Sequence, residues 1–355
     1  MAIKQRLEKL RHRLVEEELD SIIVSQPENR CYLSGFDGST AILLISQDSA
    51  ILITDFRYLE QAELQAPDFK SILLRDKSRQ RLLLELASDL GSKRLGFEAS
   101  NICFTDYRHL NEEAEKLELQ LVPTEGLVES IRTVKEEEEI TFLVEAAGLA
   151  DAAMEYISGE IHPGMNEREV AWEIERFLRE NGSELLPFNI IVASGPNAAL
   201  PHAKPTERLI SSGEPVIIDL GARISGYASD LSRTLCLNSN DVTFTEIYDL
   251  VLKAQITAIN YLEADMSGEQ VDSYAREIID RGGYKDAFGH GLGHGVGLAA
   301  HELPRLGPNS KDTLVENMVF TIEPGIYLSG WGGVRIEDMV MVEEGRAKII
   351  SKVRK

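Results

Sequence analysis

Apolar residues recur at helical spacing over 3–18, with Leu7, Leu10, Leu14 and Val15 on one stripe, and predict an amphipathic helix. The apolar run 21–24 predicts a strand. Gln26-Pro27-Glu28-Asn29 reads as a turn, with a short element over 32–36. Two apolar runs, 41–45 and 50–54, flank the polar 46–49 and predict a hairpin. A helix is expected from near Arg57, a strand at 71–74, a helix over about 78–90 and a strand at 94–97. The mixture is that of an α/β domain of roughly 120–130 residues.

A boundary is expected within 128–134, giving domains 1–128 and 129–355. The run Lys135-Glu136-Glu137-Glu138-Glu139 opens a long helix with Ile140, Leu143, Val144, Ala147 and Met154 on one face. Glutamates there suit the positive end of the helix dipole, so this start reads as a solvated acidic turn. A helix over 166–180, a strand at 188–193 and a turn at 194–197 follow. Then come a hairpin over 216–235, helices over 243–263 and 268–281, and a hairpin over 319–342. The second domain thus reads as two rounds of paired helices followed by sheet, a repeat of layout rather than of residues.

The two hairpins change the picture. Asp219 and Asp230 stand symmetrically about the first loop, and Glu323 and Glu337 about Gly330 in the second. In regular hairpins each pair would face across the sheet. Carboxylates pressed together on apolar strands repel and lose solvation, so something positive should sit between them. Between the hairpins lies FGHGLGHGVGLAAHE, 288–302, with three of the seven histidines. It lacks both the GxGxxG spacing and the Walker lysine of a phosphate loop, and His301-Glu302 is not HExxH because Arg305 occupies the second histidine's place. Oxygen-rich ligation with an imidazole suits divalent manganese, cobalt, iron or zinc, and four carboxylates balance two such ions. Water between two ions loses a proton near neutral pH, which is the chemistry of peptide or ester hydrolysis.

Composition narrows the class. The formal net charge of -22 argues against nucleic acid or an anionic membrane as partner. No apolar run approaches the roughly 20 residues needed to span a bilayer. The charged N-terminus is not a signal peptide. Cys31, Cys103 and Cys236, odd in number and far apart, fit a reducing cytoplasm better than a disulfide framework. His12, His109 and His162 read as surface or loop residues and His290 as a support for the glycine stretch.

The motifs IIDLG, YASDLSRT, HGLGHGVGLAAHE, TIEPG and VRIED, with the element at 27–36, make the chain resemble the pita-bread metallopeptidases of the Xaa-Pro peptidase family, aminopeptidase P and prolidase. The resemblance spans the chain. It implies a small creatinase-like α/β domain followed by a pita-bread α+β domain, a homodimer, and two divalent ions with manganese favoured and cobalt or zinc possible. The family's metal ligands fall on Asp219, Asp230, His294, Glu323 and Glu337. By the same resemblance Asp230 and Glu337 bridge the ions through which hydroxide attacks, and Glu323 shuttles the proton to the leaving nitrogen. His301 stabilises the oxyanion, His202 contacts the proline side of the scissile bond, and Arg335 orients a ligand. The implied activity is removal of an N-terminal residue from a peptide with proline in second place. Arg305 could instead receive the carboxylate of a dipeptide, which would be prolidase chemistry. A pita-bread protein that binds peptides without cutting them is the reading from another class, and the intact ligand set stands against it.

Overall fold

The computed structural model describes residues 2–75, 78–238 and 242–355, in two compact units, Met1–Arg132 and Thr133–Lys355. The first runs α1 (Ala2–Glu16), β1 (Ser21–Val24), α2 (Pro27–Ser34), β2 (Ala41–Ser46), β3 (Ala50–Thr54), α3 (Leu59–Gln65), β4 (Lys70–Leu73) and α4 (Arg79–Asp89). It finishes with β5 (Arg94–Glu98), α5 (Phe104–Lys116), β6 (Gln120–Thr124) and α6 (Leu127–Arg132). Its six strands form one sheet in the order β4-β3-β2-β1-β5-β6, with only β2 antiparallel to its neighbours.

Pro27 does not make the expected turn. It opens α2, where its missing N–H is one the helix would leave unbonded anyway, and the helix closes on Gly35 at φ 78°. The sequence reading left 98–127 unassigned. The helix there, α5, buries only Leu110 and Ala114, too thin a stripe to stand out as helical periodicity.

The second unit opens with α7 (Glu137–Glu160), α8 (Glu167–Glu180), β7 (Ile191–Ser194), β8 (Pro215–Leu220), β9 (Arg223–Ile224), β10 (Tyr227–Ala228) and β11 (Leu231–Cys236). It continues with α9 (Val242–Tyr261), α10 (Gly268–Arg281), β12 (Gly293–Gly295), β13 (Glu302–Leu306) and β14 (Val319–Ile322). The last elements are β15 (Gly325–Leu328), β16 (Gly332–Arg335), β17 (Asp338–Glu343) and β18 (Arg346–Ile349). Two helix pairs each cover one sheet, α7 and α8 with β11-β8-β7, and α9 and α10 with β13-β12-β14-β17-β18.

Helix α8 shows how sequence sets this packing. Asn166 caps its start in a reciprocal box with Glu169, and Val170, Ile174 and Leu178 form the buried stripe. Helix α10 repeats the device with Ser267, Gln270, Val271, Ala275 and Ile279. Each fully buried Val, Ile or Leu among these contributes about 1.5–3 kcal/mol, and that outweighs the cap and fixes which face turns inward. The acidic start of α7 is not wholly solvated: Glu139 is buried and accepts the Tyr227 hydroxyl at 2.9 Å.

The hairpins carry the acids in different ways. In the second, β14–β17 and β15–β16 share one register, with Ile322 opposite Asp338 and Gly325 opposite Arg335. Glu323 and Glu337 stand opposite each other in the gap between these ladders, as the symmetry about Gly330 predicts. Pro324, which has no N–H, follows Glu323 where the ladder breaks. The first hairpin departs from expectation. Its two-residue turn is Ser225-Gly226, both at positive φ, so Asp219 pairs with Ser232 and not with Asp230. Asp230 lies one diagonal step away, just ahead of β11.

Candidate active site

A cavity of about 520 Å³ within the second unit is lined by Asp219, Asp230, His294, Glu323 and Glu337. His202, His301, Arg305 and Arg335 line it too, so every site residue predicted from sequence comes to one place. The ligand-type atoms of Asp219, Asp230 and Glu337 lie within 4.8 Å of one another, and so do those of His294, Glu323 and Glu337. Asp230, His294 and His301 form a third such group. Glu337 is common to the first two groups and Asp230 to the first and third, an arrangement with room for two cations sharing carboxylates.

The glycines around His294 allow strands to approach. A Cβ on Gly293 would sit 2.0 Å from the Thr321 carbonyl oxygen, and one on Gly295 equally close to that of Leu303. That packing holds His294 with its Nδ1 3.1 Å from the Gly295 carbonyl, so Nδ1–H donates there and Nε2 faces the acids. His294 Nε2 is 3.2 Å from Glu323 Oε1 and 3.7 Å from Asp230 Oδ2. Thr321 joins the two ligands: its Oγ accepts from His294 N–H and donates to Glu323 Oε1, each at 3.1 Å.

Charge is crowded here. Burial, and then the neighbouring carboxylates, hold Asp230 and Glu337 well above the usual carboxylate range. Burial also raises Asp219, although Arg335 opposes the rise. Burial would raise Glu323 as well, but the hydrogen bond and charge of His294 outweigh it and bring Glu323 to about 2. Those same bonds lift His294 above its ordinary value despite its burial, whereas burial and then His294 lower His301. Asp219 Oδ1 is buried with no hydrogen-bond partner among the described residues. An orphaned carboxylate oxygen beside three more carboxylates and an imidazole nitrogen fits divalent cations by donor chemistry.

Arg335, expected to orient a ligand, bonds one across the site on the other hairpin. It donates to Asp219 Oδ2 at 2.6 Å, Ser232 Oγ at 2.9 Å, the Pro201 carbonyl at 3.1 Å and Tyr327 Oη at 3.0 Å. The Pro201 bond anchors the loop bearing His202, which is exposed to the cavity. Buried Glu167 holds that loop's other end, accepting from the Thr206 N–H at 2.9 Å and hydroxyl at 2.6 Å. His301 is also exposed, its ring 4.2 Å from that of His294. Arg305 lies opposite His294 in β12–β13, and its guanidinium has no hydrogen-bond or ion-pair partner among the described residues. Asp338, beside Glu337, points to the other sheet face and pairs with Arg233 at 2.8 Å.

Sequence reasoning missed Tyr327. Its hydroxyl accepts from Arg335 and lies 2.9 Å from His290 Nε2, and burial pushes its pKa up to about 12. The signal was present in the hairpin: Tyr327 is four residues past Glu323 on an alternating strand. His290 therefore lines the cavity through Tyr327 and does more than support glycines.

Residues 142–344 match metallopeptidase family M24, and residues 6–134 match the creatinase/prolidase N-terminal domain. An Xaa-Pro dipeptidase of Pyrococcus furiosus is 35% identical over 99% of this chain and 99% of its own length. The solved structure of an Xaa-Pro dipeptidase from Bacillus anthracis superposes with a TM-score of 0.95 at 38% identity, covering 99% of this chain and 98% of that one. That of an X-Pro aminopeptidase from Thermotoga maritima gives 0.87 at 33%, covering 97% and 98%. Among the described residues no helix is long and apolar enough to cross a membrane. With its ligand-rich cavity in a pita-bread unit that follows a creatinase-like domain in sequence, the chain belongs to metallopeptidase family M24 and is a metal-dependent hydrolase.

Proposed function

We propose that this hydrolase cleaves the Xaa-Pro bond of short peptides, dipeptides above all, using two divalent ions, preferentially manganese, in the cytoplasm. The observation that carries the reading is the cluster of four carboxylates and His294, with Arg305, a cation unpaired among the described residues, in the same cavity. Asp219, Asp230 and Glu337 would hold one ion, and His294, Glu323 and Glu337 the other, with Asp230 shared. The oxygen-rich set with one imidazole favours manganese over softer metals. When bound, the ions supply Lewis acidity that makes water nucleophilic near neutral pH.

The chain's own residues do the rest. Glu323, within hydrogen-bond reach of His294, is the carboxylate placed to take a proton and pass it to the leaving nitrogen. His301 donates to the scissile carbonyl oxygen as charge develops. His202 contacts the ring on the leaving side. A proline nitrogen has no N–H to be recognised by, so the ring and its carboxylate must carry specificity. Arg305 is the group for that carboxylate.

Relatives named Xaa-Pro dipeptidase support the dipeptide reading. The Thermotoga maritima relative favours a second reading, removal of the first residue from longer peptides. Rates on Ala-Pro and Ala-Pro-Ala-Ala with added manganese separate them. Fast cleavage of Ala-Pro, lost on Arg305→Ala through a raised KM, supports the dipeptidase. Preference for the tetrapeptide, unmoved by Arg305→Ala, supports the aminopeptidase, and no cleavage of either with manganese, cobalt or zinc refutes both.

A further inference from the structure

A second cavity, of about 390 Å³, is lined wholly by residues of the first unit. It lies where β1, β3, β4 and β5 end: Ser25, Asp55, Leu74 and Asn101 line it just past those strands. Strand order runs outward from β1 to β4, and the chain then returns to β5 on the other side of β1. The cavity therefore sits at the carboxyl ends of parallel strands, where the order reverses. Open α/β sheets characteristically hold ligands at that position. Three helices begin at its wall, with Pro27, Arg79 and Asp106 in their first turns; the Glu98 carboxylate already accepts from the Ser25 and Gln26 N–H groups at the start of α2, and the positive ends of α4 and α5 are left to favour an anion.

Arg30 lines the same cavity and is only 5% exposed. Its guanidinium donates to two backbone carbonyls, of Ala41 and Gly38, and its Nε–H has no partner among the described residues. Among those residues no carboxylate forms an ion pair with it; Glu98 and Glu28 favour its charge from further away, but the cost of burial outweighs them. Of the acids at the wall, Asp55 is neutralised by Arg57 at 2.7 Å, and Asp106 is held by the Cys103 thiol at 3.2 Å and Gln80 at 3.5 Å. Arg79, exposed at the start of α4, is a second available cation. Ile42, Ile53, Leu83 and Ile102 make the rest of the wall apolar.

We propose that this cavity is a binding site for a small organic anion, with its carboxylate or phosphate on Arg30, Arg79 and the helix starts and its apolar body against the aliphatic wall. The site belongs to the creatinase-like unit and takes no residue from the metal cluster.

The test is a calorimetric titration of the chelated full-length protein with two probes, N-acetyl-L-leucine and inorganic phosphate. Chelation removes metal-bound anions from the readout. Saturable binding of N-acetyl-L-leucine, weakened about tenfold by Arg79→Gln, is the expected result. Arg79 is exposed, so that variant folds, and Arg30→Met adds a second test if its thermal transition is intact. Saturable phosphate binding with the same sensitivity supports the site with phosphate as headgroup. Binding of neither probe, or binding indifferent to Arg79→Gln and to a folded Arg30→Met, overturns it.

Discussion

Replacing Glu337 with glutamine should stabilise the chelated protein while abolishing its response to metal. Glu337 is 1% exposed, and its carboxylate lies within 4.8 Å of those of Asp219 and Asp230. Two unit charges at that separation repel by about 3–4 kcal/mol at an effective dielectric near 20. Burial first, and then that repulsion, make the folded chain keep protons, so Glu337 and Asp230 lie well above their ordinary values of 4.5 and 3.8. The unfolded chain loses those protons near the ordinary values. Between the unfolded and folded pKa values the native state therefore binds more protons, and without metal its stability falls as pH rises. The slope is about 1.4 kcal/mol per pH unit for each retained proton. Glutamine keeps the shape and removes one such group. Chelated Glu337→Gln should exceed the chelated wild type by about 1–3 kcal/mol at pH 8.5, a rise of a few degrees in Tm. Added manganese should reverse the order, because two ions, each at a hundredfold its Kd, stabilise the wild type by about 5.4 kcal/mol and leave the variant unmoved. Differential scanning calorimetry at pH 6 and 8.5, with and without chelator, reads all four states. A chelated wild type more stable at pH 8.5 than at pH 6, or a folded Glu337→Gln less stable than it at pH 8.5, would refute the reasoning.

Other outcomes follow from single contacts. His301→Ala should lower kcat on Ala-Pro by roughly 10²–10³ with little change in KM, since it removes an interaction made as charge develops. Gly295→Ala places a methyl 2.0 Å from the Leu303 carbonyl oxygen and should cost more than about 2 kcal/mol in denaturant unfolding, with weakened metal uptake through His294. Ser267→Ala removes the α10 cap, whose Oγ accepts from the Gln270 N–H at 3.2 Å, and should cost about 1 kcal/mol of stability while leaving the rate unchanged.

Much of this was legible in the chain, because the strongest signals were local. The symmetry of Glu323 and Glu337 about Gly330 survives in the real ladder, since two paired segments keep one register across the break. The first hairpin misled by one residue: the turn residues are Ser225 and Gly226, and centring the loop one residue early put Asp230, in place of Ser232, opposite Asp219. Period alone cannot detect such a slip, although the positive φ that Ser-Gly permits is its cause. The partners of Arg335 could not be read at all. It stands two residues from Glu337, yet its shortest bond crosses to Asp219, and only the folded sheets bring them together. Tyr327 was hidden for the same reason, because its value lies in the His290 and Arg335 contacts. The helix in the unassigned stretch was obscured by its own sequence, which turns only two residues inward.

The sharing of Asp230 and Glu337 by two cations underlies the proposed hydrolysis. It is tested most directly by titrating the chelated full-length protein with cobalt by calorimetry, while following Ala-Pro hydrolysis in the same samples. Two ions per chain are expected, with hydrolysis that appears as they bind and loss of both together in Asp230→Asn. Binding of a single ion, or full uptake and hydrolysis by a folded Asp230→Asn, would contradict it.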